Sequence, residues 1–163
     1  MANVQKLKEN LERNGFVVSY YETAAEATAV LVDSIKGKTV GFGGSCTLRD
    51  MGLFEALSEN NQVFWHWKQQ PINEARAKAN AADVYLTSLN GVAETGELIN
   101  IDGDGNRLAA TTFGDKKVYF VIGVNKIAPD FHSALDRARN IAAPLNARRL
   151  NKETPCAMGK EVK

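Results

Sequence analysis

The chain is poor in cysteine, histidine and proline, with two, two and four residues respectively among 163. Two cysteines, Cys46 and Cys156, exclude a disulfide scaffold and point to free thiols in a reducing compartment. His66 and His132 have no partner at metal-ligand spacing, so neither a metal site nor a cofactor is expected. No apolar run approaches the ~18 residues of a membrane span. The N-terminal residues Met1 to Lys8 lack the apolar core of a signal peptide. Charge of one sign is also missing: 20 basic residues face 19 acidic ones, a formal net charge of +1. Phosphate backbones call for a clear basic excess, so nucleic acid is not an expected partner. Repeats, low-complexity tracts and Pro/Ser-rich linkers are absent. A single cytoplasmic domain over 1–163 is expected, with about 151–163 as a tail.

What is present is ordinary globular composition, 44% hydrophobic and 24% charged, in an alternating pattern. Val4, Leu7, Lys8 and Leu11 have helical spacing, and Asn14-Gly15 supplies a stop, giving a helix over about 3–14. Phe16 to Tyr20 reads as a strand. Thr23 and Glu26 form a capping box that opens a helix to about Ile35. Thr39 to Phe42 reads as a strand, followed by a helix over about 47–58. Val63 to Trp67 is the next strand, and a helix follows from Pro71 to about Asn80. Asp83 to Thr87 is again a strand. Glu97–Ile101 and Arg107–Thr112 read as a hairpin around Asp102 to Asn106. Val118 to Val124 is almost continuously apolar, as for a strand buried on both faces. Asp130 caps a helix to about Ala142, and a short helix runs from Pro144 to Leu150. This order predicts an α/β fold with a mostly parallel central sheet.

Three stretches carry candidate chemistry. Gly43, Gly44, Ser45 and Thr47 join a strand to a helix. Glycines there allow backbone approach, and a helix start offers unpaired N–H groups to an anion. The plainer alternative is a tight turn with a hydroxyl cap. Asn90, Glu94, Thr95 and Gly96 follow a strand, where open α/β sheets bind ligands. Glu94 could be a base or nucleophile, or it could tie down a loop. Asn125 and Lys126 end the apolar strand, where a lysine meets an anionic ligand, holds Glu94 or is simply solvated. Asp102 to Asn106 departs from the calcium-loop pattern at its sixth and twelfth positions. Trp65 and Trp67 fall on one strand face and His66 on the other. An exposed Phe64, Trp65 and Trp67 patch would favour a partner subunit.

The chain resembles the LUD (lactate utilisation) domain family in its stand-alone form. Four ordered blocks carry the likeness. The first is Val40 to Ser45. The second runs from Ala93 to Arg107 with Ala109 to Thr111. The third is Ile122 to Ile127, and the fourth is Ala142 to Leu150 leading to Thr154-Pro155-Cys156. The resemblance implies a three-layer α/β/α Rossmann-like sandwich similar to sugar-phosphate isomerases and coenzyme A transferases. It also implies a part in lactate or organic-acid utilisation beside iron–sulfur subunits. Relatives of this type continue into a cysteine-rich tail, whereas no cysteine follows Cys156 here. The expected partners are a small anionic metabolite, redox subunits or a second copy of the chain. An enzyme of isomerase or acyl-transferase type using Glu94 is the alternative to a binding protein.

Overall fold

The computed structural model describes residues 2–159. The chain divides into two compact units. One comprises Tyr20–Ser88 and Asp102–Ile122. The other comprises the chain up to Ser19, Leu89–Ile101 and the chain from Gly123 onward.

The first unit holds a four-stranded sheet. Its strands are β1 (Thr39–Phe42), β2 (Gln62–Phe64), β3 (Val84–Thr87) and, later in the chain, Lys117–Phe120. They are arranged with β1 beside β2 and β3, and with 117–120 outside β3, all parallel. Side chains alternate across the sheet. On one face Val40, Phe42, Val63, Trp65, Val84 and Leu86 meet Leu48, Leu53 and Leu57. On the other, Tyr85 meets Ala79 and Ala110. Helices thus cover both faces of a parallel sheet, the layered α/β architecture that the alternating sequence predicts and the Rossmann-like sandwich that the resemblance implies. The helices are α2 (Ala24–Ser34), α3 (Cys46–Asp50), α4 (Leu53–Ser58), α5 (Ile72–Asn80) and α6 (Asn106–Thr112).

The second unit holds α1 (Val4–Arg13) and a three-stranded sheet. Its central strand β4 (Gly91–Ala93) pairs antiparallel with β5 (Leu98–Ile99). On its other side it pairs parallel with β7 (Ile127–Ala128), and 117–120 of the first unit becomes β6 in chain order. Helices α7 (Phe131–Arg137) and α8 (Ala143–Arg149) complete it, joined by a π-helical segment, Ala138–Ala142. Pro144 has no N–H to donate in an α-helical ladder. The widened turn, with the Ala143 N–H bonded to Ala138 O, lets the helix continue through that gap.

Five expectations are corrected. Residues 16–20 form no strand: Val17 is 99% exposed, and β-branched residues without a paired neighbour do not make a sheet. The helix over 47–58 is two helices, because Gly52 adopts φ +64° between them. The strand at 63–67 stops at Phe64, since the Trp65 N–H turns to the Gln69 side chain at 2.9 Å. The hairpin at 97–112 does not form. Leu98–Ile99 pairs back onto β4, and Asn106–Thr112 is helical. Asp102 starts that helix by accepting the N–H groups of Arg107 (2.7 Å) and Leu108 (3.2 Å). Lastly, β6 is an edge strand and only partly buried, not covered on both faces.

Candidate functional site

In the four-stranded unit, the chain leaves β1 toward β2 and returns across β1 to β3. The direction of winding therefore reverses between β1 and β3. Ligands of open parallel sheets bind at such a reversal, beyond the carboxyl ends of the strands. Gly43 and Thr87 stand there. The Gly43 N–H bonds Leu86 O at 2.9 Å. A Cβ on Gly43 would lie 2.6 Å from Thr87 Oγ1 and 3.0 Å from Arg107 Cγ. Glycine is required so that a buried hydroxyl and an arginine stem can press against the end of β1.

Thr87 is fully buried and Ser88 nearly so. The Arg107 side chain is 12% exposed, and its Nε lies 3.7 Å from Oδ1 of Asp102, itself 7% exposed. Beside this pair, the guanidinium of Arg76 bonds the Asp104 carboxylate. Burial, reinforced by the Arg76 charge, holds His66 below its ordinary range, and its Nδ1 is buried with no hydrogen-bond partner among the described residues. Burial pushes Tyr85 well above the ordinary phenol range, keeping it a neutral hydroxyl. The neighbourhood of Arg107 is thus a mixed, largely desolvated polar cluster that can hold an oxyanion and donate hydrogen bonds to it.

Gly44, Ser45 and Thr47 have other surroundings. The space a Gly44 Cβ would take is filled by the Trp67 indole, 3.0 Å away. Ser45 is buried, and its hydroxyl accepts the Leu48 N–H at 3.3 Å. The helix that starts here, α3, has only five residues, so its dipole is small, and Ser45 already fills its N-cap. Thr47 is half-buried on α3. The tryptophans make no exposed patch. Trp65 is fully buried, stacked on Phe42 (5.2 Å) and Trp67 (5.3 Å).

The remaining expected residues belong to the three-stranded unit, where they form two groups. Glu94, 8% exposed, follows β4. Its carboxylate accepts the Asn3 N–H at 2.8 Å and lies 3.5 Å from Lys6 Nζ. Its backbone carbonyl accepts Asn10 Nδ2 at 2.7 Å, so the loop grips α1. The Thr95 hydroxyl bonds the Glu97 carboxylate. Gly96, at φ +105°, sits against Asn14.

Asn90, Asn125 and Lys126 form the other group, at the opposite end of the β4–β7 pair. The register Val92↔Ile127 sets Lys126 level with Gly91, roughly 10 Å along the strand from Glu94. The Asn90 side chain accepts the Ile101 N–H at 2.9 Å. The backbone carbonyls of Asn90 and Asn125 both accept from Arg137.

Thr87, Arg107, Asp102 and Arg137 were not among the expected site residues. The usable signal was Asp102 five residues before Arg107, a side chain able to open a helix, followed by Ala109-Ala110. Among the described residues no cluster of three or more His, Cys, Asp or Glu is placed to hold a metal. Nor is any helix among them long and apolar enough to cross a membrane.

No curated protein and no solved structure matches the chain. The family profile of the LUD domain matches residues 4–159, spanning both units and all four blocks of the resemblance. On that match the chain belongs to the LUD domain family.

Proposed function

We propose that this chain is a LUD-domain protein of lactate or related organic-acid utilisation that binds a small organic anion in its four-stranded unit. The ligand lies at the carboxyl ends of β1 and β3, in the neighbourhood of Gly43, Gly44, Ser45 and Thr47. One observation carries the reading: the stem of the nearly buried Arg107 and the buried Thr87 hydroxyl both press on Gly43, where the winding of the sheet reverses. A desolvated guanidinium recognises a carboxylate through charge-assisted, geometrically fixed hydrogen bonds. Tyr85 and His66, both kept neutral by burial, add polarity without adding a competing charge. Asp102 opposes the Arg107 charge and holds it in place.

The enzymatic alternative, with Glu94 as base or nucleophile, requires that carboxylate to leave Asn3 and Lys6. Those contacts favour an anchoring role for it.

Calorimetric titration with L-lactate, pyruvate and neutral lactamide tests the proposal. An acid should bind and lactamide should not, and Arg107→Gln should weaken binding by about tenfold or more, the scale of a lost charged hydrogen bond. Equal binding of lactamide, or unchanged affinity in a folded Arg107→Gln protein, would reject the site.

A further inference from the structure

We propose that Arg137 anchors a second, separate anion site, in the three-stranded unit, that takes a carboxylate or phosphate oxyanion. Arg137 closes α7. Its Nε donates to Asn125 O at 3.0 Å, and its Nη1 donates to Asn90 O. Both acceptors are neutral carbonyls. Among the described residues no carboxylate lies within 4.0 Å of this guanidinium, and Nη2 has no hydrogen-bond partner there.

The contrast with the other shielded arginines is direct. Arg76, 28% exposed, has Asp104, and Arg107, 12% exposed, has Asp102. Arg137 is only half-exposed, and burial lowers its pKa with no acid acting against that shift. The acids nearest to it in sequence are engaged elsewhere: Asp130 accepts the Ser133 N–H at 2.8 Å, and Asp136 accepts from Asn140 at 2.6 Å. A partly desolvated cation without a counter-charge attracts an anion more strongly than an exposed one.

The two carbonyls also fix the plane of the guanidinium before anything binds, which removes part of the ordering cost. They leave its outer nitrogen for a planar or tetrahedral oxyanion. Lys126 follows Asn125 in the same short turn (Val124–Lys126) and brings a second positive charge to the segment that Arg137 grips. A purely structural clamp would account for the two carbonyl bonds, but not for a partly desolvated charge with no acid beside it among the described residues.

The test is to record arginine Nε–H NMR signals of the full chain during separate additions of sodium phosphate and sodium acetate. Sodium chloride at matched ionic strength is the control. The Arg137 signal, assigned by its loss in Arg137→Lys, should move saturably with at least one oxyanion and not with chloride. The arm that saturates at lower concentration names the group, phosphoryl or carboxyl. Lys126→Gln, which leaves the Arg137 bonds intact, should weaken that binding by about threefold, the scale of one partly exposed charge. If Arg137→Lys does not fold, assignment on the wild-type chain and the Lys126→Gln titration serve instead. An Arg137 signal unmoved by both oxyanions, or moved equally by chloride, would overturn the proposal.

Discussion

The four-stranded unit packs its sheet with large side chains, and the three-stranded unit packs its own with small ones. Phe42, Trp65, Leu48, Leu53, Leu57 and Leu86 fill one face of the first. Ala93, Ala128, Ala134 and Ala138, with Ile99, form the core of the second. Large residues hold layers apart and bury much apolar area each; alanines let a helix lie almost on the strand backbone. The aromatic core supports a regular parallel sheet with a reversal point, while the alanine core leaves polar loops, Asn90 to Gly96 and Asn125 to Lys126, tied together by hydrogen bonds.

Close approach occurs in both units, so glycine substitution compares them most severely. A Cβ on Gly41 would lie 2.1 Å from the backbone oxygen of Ala79, and one on Gly91 2.7 Å from that of Ala134. Backbone cannot swing aside as a side chain can. Gly41→Val should therefore cost more than the ~3 kcal/mol of ordinary overpacking and prevent folding. Gly91→Val should cost about 1–3 kcal/mol. Denaturant unfolding of the two variants checks the order. Equal, small losses would show that α5 and α7 shift freely.

The next effect belongs to the four-stranded unit alone. His66 has a folded-state pKa below the ordinary 6.5, because burial and Arg76 disfavour its cation. As pH falls through about 6.5 the unfolded chain binds this proton first, so stability falls, levelling off once the folded protein also protonates. The acids held low in this unit, Asp83 by its bonds from Thr39 and Glu55 by Lys68, lose their contribution only at lower pH. Thermal midpoints from pH 7.5 down to pH 5 should decline in the wild type and flatten in His66→Gln; the range brackets the ordinary histidine pKa. Parallel slopes would place the titrating group elsewhere.

The smallest effect concerns Glu94 in the three-stranded unit. Glu94→Gln keeps an acceptor for the Asn3 N–H and loses the charge facing half-exposed Lys6. A loss of about 1 kcal/mol or less is expected, with organic-anion affinity unchanged. A loss of binding in a folded Glu94→Gln protein would return Glu94 to the site.

The same contrast explains how much the sequence disclosed. In the aromatic-cored unit the strands at Thr39 and Asp83, the capped helix at Thr23 and the helix after Pro71 were legible, because apolar periodicity and caps coincide there. Strand β4 is three residues long, two of them glycine and alanine, and β5 has only two residues, below what alternation can reveal. Asp102 to Asn106 carries turn residues that suit a hairpin as well as a helix start, and the pairing of Leu98–Ile99 back onto β4 decided between them. Glycines at a strand exit pointed to Gly43. Thr87 and Arg107 could not be found by spacing, since they come from 44 and 64 residues further on and meet Gly43 only through the sheet order.

Backbone amide NMR of the full chain during titration with L-lactate and with pyruvate shows whether an organic acid binds at the end of β1 and β3. The signals of Gly43, Thr87 and Arg107 should move together and saturate at one concentration, and Arg107→Gln should abolish the movement. Signals that stay fixed at all three positions under both acids, or that move only around Glu94, would contradict binding there.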